Sequence, residues 1–232
     1  MLSAGAAAPP SPPTGPALPL LPEVRSETID PADPEGIAWL CGLLARGRAD
    51  LYGQDEADLA LLPTLTRTWM PRGAQLQVLA PGNNEKCSVS CATDVGDGGL
   101  LWRTDERRCA DQFCQTLSAG ADRSTARGRL AVFLVDNAKS HRVGKTGIVR
   151  RGLDALAGRV VLVFQPAYSP DLQPAERVWR QWRPNVTHNH QRDSLLALQQ
   201  DSDAWMNRMA ATPQAVLQTL ALSASQPLKQ AA

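Results

Sequence analysis

Leu130-Ala131-Val132-Phe133-Leu134-Val135-Asp136-Asn137 is the stretch on which the fold turns. Six apolar residues in a row, rich in β-branched and aromatic types, have strand length. Their abrupt replacement by Asp136-Asn137 marks a buried strand with polar residues at its C-terminal end. Downstream, Ile148, Val149, Leu153 and Leu156 recur at helical spacing, and Val160-Val161-Leu162-Val163-Phe164 is a second apolar run. Strand, helix, strand in this order predicts two parallel strands joined by a crossover helix, which places the chain in the α/β class.

Upstream, the pattern is antiparallel. From Arg48 the sequence Ala-Asp-Leu-Tyr-Gly-Gln-Asp-Glu predicts a short strand that stops at Asp55-Glu56, and residues 69–78 and 86–102 predict further strands. The latter turns back at Asp97-Gly98-Gly99, a hairpin signal. Helical spacing covers residues 36–45 and 105–118. Beyond the second apolar run, a proline-rich loop with Pro166 and Tyr168-Ser169-Pro170 leads to Pro174, which suits the first position of a helix and puts Glu176 in its first turn, where the helix dipole favours a carboxylate. Ala175, Val178, Trp179 and Trp182 give that helix its apolar face, with both tryptophans in the core, while Glu176, Arg180 and Arg183 lie on another. Pro184 is expected to end it. Residues 193–221 predict one or two closing helices interrupted near Pro213.

The 232 residues suffice for one sizeable core plus a tail. Hydrophobic residues at 43% and charged residues at 20% exclude wholesale disorder, collagen and coiled coil. No window reaches the roughly 18 uninterrupted apolar residues of a membrane helix. The first 22 residues hold seven prolines and no basic residue, so they lack the marks of a secretory signal and predict a disordered, polyproline-leaning tail. Five cysteines, Cys41, Cys87, Cys91, Cys109 and Cys114, are an odd number in a chain with its own core, which points to reduced thiols and a cytoplasmic setting. Neither Cys87-x3-Cys91 nor Cys109-x4-Cys114 has zinc-knuckle spacing. Cys87, Val89 and Cys91 instead alternate on one strand face, and Cys109, Phe113 and Leu117 recur on one helix face, as buried structural thiols do.

Asp55, Asp136 and Glu176 are acids placed at the ends of apolar segments. In an open α/β sheet, ligands bind beyond the carboxyl ends of the strands, where an acid points at a substrate from a fixed backbone. Three carboxylates there repel one another, and hard, oxygen-preferring divalent cations, Mg²⁺ or Mn²⁺, relieve that repulsion. Two such ions about 3.5–4 Å apart activate an attacking oxygen and stabilise a leaving one, so the reaction class is phosphoryl transfer. Asp and Glu at such ends also serve as caps and turn formers, and the flanking residues decide between the two.

Those flanks are Asp55-Glu56 with Leu62-Pro63 and Arg67-Thr68-Trp69-Met70-Pro71-Arg72-Gly73; Val135-Asp136-Asn137-Ala138-Lys139-Ser140-His141; and the run from Gln165-Pro166 through Tyr168-Ser169-Pro170-Asp171-Leu172-Gln173-Pro174-Ala175-Glu176 to Trp179. In words, order and spacing they resemble the mariner-related bacterial insertion-sequence (IS630-type) transposases of the DDE superfamily, over roughly residues 35–200. The resemblance implies a ribonuclease-H-like, integrase-type mixed sheet with flanking helices. It further implies that Asp55, Asp136 and Glu176 bind two Mg²⁺ or Mn²⁺ ions, and that Asn137 and His141 sit beside them as further catalytic residues. Water then attacks a phosphodiester at the element's end, and the freed 3′-hydroxyl attacks target DNA with no covalent protein intermediate. The plainer alternatives are a turn cap for Asn137 and an ordinary loop position for His141. Arg177, Arg180, Arg183, Lys139 and Arg142 are candidates for backbone phosphates, although an arginine-studded helix face is often only solvated.

The implied partners are element-end and target DNA and, in the active state, a second copy of the chain, with neither membrane nor nucleotide cofactor; the implied location is the bacterial cytoplasm, on the nucleoid. The expected organisation is a tail over residues 1–22, an acidic helical lead-in over 23–48, the DDE catalytic domain over 49–200 and a C-terminal helical segment over 201–232. Gln173 stands where the family usually has Asn, and Ala175 where it usually has a larger aliphatic residue. Relatives carry a helix-turn-helix region before the first acid for which the 54 preceding residues leave no room, so a truncated copy is expected, and its alternative function is that of an inactive remnant that only binds DNA or a partner subunit. A P-loop at Gly144-Lys145-Thr146 is excluded because position 139, where the motif needs glycine, is Lys.

The formal charge of +1 conceals segregation. Residues 23–58 hold nine acidic and three basic residues, a net −6, whereas residues 123–159 hold nine basic residues against Asp136 and Asp154, a net +7. Cations bound at the three acids leave a distinctly positive working surface.

Overall fold

The computed structural model describes residues 27–79, 81–144, 147–166 and 173–221. The expectations for the proline-rich tail, for Lys145-Thr146 and for Tyr168-Ser169-Pro170 lie outside these. Apolar runs of strand length build a mixed sheet: β1 (Thr28–Ile29), β2 (Ala49–Ala60), β3 (Lys86–Asp94), β4 (Leu100–Asp105), β5 (Leu130–Val135) and β6 (Val160–Phe164). Their order across the sheet is β1-β6-β5-β2-β3-β4. β1, β6, β5 and β2 run parallel, whereas β2, β3 and β4 form an antiparallel meander. The helices are α1 (Pro34–Ala45), α2 (Ala110–Thr125), α3 (Ile148–Ala155), α4 (Pro174–Val186), α5 (Leu195–Ala210) and α6 (Pro213–Ala221). None is long and apolar enough to cross a membrane among the described residues.

Side-chain alternation along the strands divides the core into two layers. Tyr52, Ala131, Phe133 and Val135 point to the face covered by Phe113 and Leu117 of α2 and by Val149 and Leu153 of α3. The opposite face is covered in two blocks. Leu40 and Leu43 of α1 pack on Leu130, Val132, Val161 and Val163. Val178, Trp179 and Trp182 of α4, with α5 and α6, pack on Ala57, Leu59, Val89 and Cys91. The first parallel pair, its crossover helix and both tryptophans are therefore where the sequence puts them. The lead-in over residues 23–48 contributes β1 and α1 to the same core, and residue 200 falls inside α5.

Four local expectations are corrected. β2 does not stop at Asp55-Glu56 but continues to Ala60. β3 pairs with it as far as Ala60↔Lys86, and buried Ala57 and Leu59 lie under α4, so packing on one side carries the strand through its acids. Residues 69–78 form no strand: the 61–85 connection leaves the sheet and is fastened to the end of α4 by the Thr64↔His188 bridge and by Asn189 on Thr66, leaving Trp69 fully exposed. Alternation without an adjacent sheet edge makes no strand. The α2 helix begins at Ala110 rather than 105, since Asp105 still pairs with Ser88, and the Gln112 side chain accepts the Cys109 N–H at the helix start. Pro184 does not end α4, which runs on to buried Val186; in the last turn a proline removes only one hydrogen bond.

All five cysteines are free. Cys87 and Cys91 are buried as expected, and burial pushes the Cys91 thiol up to about 12. Cys109 and Cys114 are half-buried and Cys41 is exposed.

Candidate active site

Strand register brings the first two acids level. Gly53 pairs with Leu134, so two residues further on, where β5 has ended, Asp55 stands beside Asp136. The third acid comes from α4, whose N-terminus lies directly on β2: a Cβ on Gly53 would meet Pro174 at 2.6 Å. Gln173, the residue before the helix, donates from Nε2 to the Gln54 carbonyl at 2.8 Å. Gln173 is thus the tether holding the start of α4 to the strand that carries Asp55.

A Gly53→Ala substitution is therefore expected to force α4 and Glu176 away from β2. Overpacking of this kind costs about 1–3 kcal/mol. Thermal unfolding checks the stability loss, and a variant as stable as wild type would contradict this close approach.

Each acid has a partner of its own. Trp179 donates from Nε1 to Asp55 Oδ2 at 3.1 Å. Asp136 Oδ1 accepts the Ala138 N–H at 2.9 Å and faces His141 Nδ1 at 2.7 Å. Arg183 Nη1 lies 3.5 Å from Glu176 Oε2. The electrostatics separate the three. Burial raises the Asp55 carboxyl to about 6, with Glu176, Asp136 and Glu56 adding to it through their charges. Asp136 is lowered instead, first by the His141 hydrogen bond. Burial alone would depress His141, but the bonds to Asp136 and Glu56 outweigh it and raise the ring to about 9.

The opposite end of the sheet makes the contrast. There Asp50 and Asp94 are also buried, but Arg127 reaches them at 3.4 and 3.0 Å, and Arg129 lies 2.8 Å from Asp50. Those acids are neutralised in place and belong to the architecture. At the Asp55 end, burial raises the Asp55 carboxyl and the charges of Glu176 and Asp136 add to it, which marks a place where a cation is favoured.

The donor set there is oxygen only, which fits a hard divalent ion. Among the described residues, no group of three His, Cys, Asp or Glu side chains is already drawn into metal-holding geometry. The contacts above engage one oxygen each of Asp55, Asp136 and Glu176.

Other candidates fall elsewhere. Asn137 donates from Nδ2 to the Gln165 carbonyl at 2.7 Å, tying the ends of β5 and β6, and borders an open cleft of about 650 Å³ with Arg142, Phe164 and Gln165. Arg177 donates to the Leu220 carbonyl and so fastens α4 to α6. Lys139, Arg142 and Arg180 are exposed. Sequence reasoning missed Glu56, which lies on the α2 face of β2, opposite Asp55, and meets His141 Nε2 at 3.0 Å. The adjacent Asp55-Glu56 pair was its only signal.

An antiparallel meander (β2–β4) continued by parallel β5 and β6, with helices on both faces of the sheet, is the ribonuclease-H-like arrangement, to which the short β1 adds an edge. The profile of the DDE superfamily endonucleases matches residues 50–199, and the chain belongs to that family. The insertion element IS630 uncharacterized 39 kDa protein of Shigella sonnei is 27% identical over 171 residues, which are 73% of this chain and 48% of that protein. The chain thus spans about half the length of this curated relative. Among solved structures, the Mos1 mariner paired-end complex with Mn is similar over 79% of this chain and 58% of that one, at 19% identity and a TM-score of 0.52. A pre-cleavage Mos1 transpososome is similar over 82% and 60%, at 18% identity and a TM-score of 0.51. At these identities the likeness is one of fold.

Proposed function

We propose that this chain is the catalytic core of a DNA transposase of the IS630 and mariner type, which cleaves phosphodiesters at element ends and transfers the freed strand to target DNA. The observation that supports the reading is the Asp55 carboxyl, raised by burial and further by the charges of Glu176 and Asp136, which come from α4 and the end of β5, distant parts of the chain. Asp55, Asp136 and Glu176 would hold two Mg²⁺ or Mn²⁺ ions, which when bound activate the attacking oxygen and stabilise the leaving one. The chain's own part is positioning: Trp179 fixes Asp55, His141 fixes Asp136, and Gln173 with Pro174 fixes the start of the helix that presents Glu176.

The neighbouring Mos1 structures, paired-end complexes with Mn and with Mg, support divalent ions and DNA ends as the ligands. Exposed Lys139, Arg142 and Arg180, with half-buried Arg183, would meet backbone phosphates, and Asn137 would shape the neighbouring cleft. The working form would be a homodimer on DNA in the bacterial cytoplasm.

Purified protein is expected to nick supercoiled plasmid with Mn²⁺. An Asp136→Ala variant should lose more than about 100-fold of that rate, because loss of a second-shell partner alone costs about 10–100-fold. Equal nicking by both proteins would sink the assignment. Plasmid binding without nicking by either would favour the inactive, binding-only form.

A further inference from the structure

We propose that Glu56 is a positioning residue of this site: through the imidazole of His141 it fixes Asp136 by one carboxylate oxygen and leaves the other for a divalent cation. The proposal rests on the metal-dependent reading above and deepens it.

Three elements converge on the His141 ring, whose side chain is 1% exposed. Nδ1 lies 2.7 Å from Asp136 Oδ1 and Nε2 lies 3.0 Å from Glu56 Oε1. The Phe113 ring of α2 packs against the imidazole at a centroid distance of 4.3 Å. With both nitrogens engaged and one face covered, the imidazole has a single orientation.

Glu56 is held in turn, since Gln54 donates from Nε2 to the same Oε1 at 3.1 Å. Its side chain is only 8% exposed, and burying a carboxylate is costly unless a specific partner receives it. Because β2 alternates, Glu56 faces α2 while Asp55 faces α4. Glu56 therefore acts on Asp136 by way of His141, in the manner of carboxylates that orient a metal ligand from behind. Both Asp136 contacts, from Ala138 N–H and from His141, fall on Oδ1 and set the plane of the carboxylate.

The test is Mn²⁺ titration calorimetry on the full chain. Wild type should bind and Asp136→Ala should not. Glu56→Ala should bind about 10–100-fold more weakly, and Glu56→Gln should recover most of the loss because its amide oxygen still accepts from Nε2–H. In the metal-free protein, the His141 ring signals in a long-range ¹H–¹⁵N spectrum, assigned with His141→Asn, should move in Glu56→Ala and much less in Glu56→Gln. A merely structural ion pair would lower the melting temperature and leave Mn²⁺ affinity unchanged; that result overturns the proposal. If the alanine variant does not fold, Glu56→Asp, one methylene too short to reach the ring, takes its place under the same criterion. Unchanged Mn²⁺ binding by Asp136→Ala overturns the metal-centre reading itself, and this proposal with it, whereas a defect in Asp136→Ala without one in Glu56→Ala overturns this proposal alone.

Discussion

Trp179→Ala is expected to cost about 3–5 kcal/mol of folding free energy, the range for deleting a large aromatic side chain from a core. Set against a total of about 5–15 kcal/mol for a typical domain, this is a large fraction of the stability. Trp179 is fully buried between α4 and the sheet, and its ring meets Trp182 edge-on at 5.4 Å. Trp182 in turn donates to Ser202 at 3.0 Å, which carries the contact into α5. The same residue holds Asp55 through Nε1, so the variant also releases an acid of the site.

Trp179→Phe separates the two roles. It keeps most of the packing and removes the donor, so about 1–2 kcal/mol is expected for the unmade bond, together with a larger relative loss of metal-dependent nicking. Urea unfolding followed by circular dichroism measures the first quantity and plasmid nicking the second. An alanine variant within about 1 kcal/mol of wild type would mean that α4 is not docked on β2 and β3 as described.

Divalent metal is expected to stabilise the protein strongly at pH 7.5 and little at pH 5, with the change centred near 6. Asp55 carries this dependence, because its carboxyl is raised to about 6 from an ordinary value of 3.8. The sign follows from proton counting. Between those values the folded metal-free chain binds more protons than the unfolded one, so the Asp55 contribution to stability falls as pH rises, by on the order of 3 kcal/mol across the window. A cation binds the deprotonated carboxylate and reverses that loss, and below pH 6 it must compete with the proton. Its affinity should therefore weaken about tenfold per unit of pH below that point. Melting curves with Mg²⁺ or with chelator at the two pH values provide the check, and an equal metal-induced shift at both would contradict it. His141 adds a second trend in the metal-free protein. Its ring is raised to about 9, so the stability that it contributes is present below 6.5 and is lost as pH rises through 9.

Much of this architecture is legible because it is local. The run Leu130–Val135 and the run Val160–Phe164 declare buried strands by composition, and Pro174 declares the helix that presents Glu176. Motif order groups the three acids into one candidate site. Two of the misreadings share one cause. The extension of β2 to Ala60 and the continuation of α4 past Pro184 both come from burial against partners distant in sequence, which local propensity does not register. Residues 69–78 fail in the opposite sense, carrying strand-like residues to a place with no neighbouring strand.

The sequence by itself determined the α/β class, the parallel pair with its crossover helix, and Asp55, Asp136 and Glu176 as the acids to watch, because apolar periodicity and helix-start chemistry are written in consecutive residues. Only the tertiary structure decided which side each acid faces and what stands behind it. Asp55 and Glu56 are neighbours in the chain, yet strand alternation sends one to Trp179 on α4 and the other to His141, 85 residues away. Arg177, a candidate for a backbone phosphate, is bonded to the Leu220 carbonyl of α6, a contact that nothing in its own helix announces. Such pairings depend on the register between β2 and β5 and on the docking of α2, α4 and α6 against the sheet, and long-range register is a property of the packed whole.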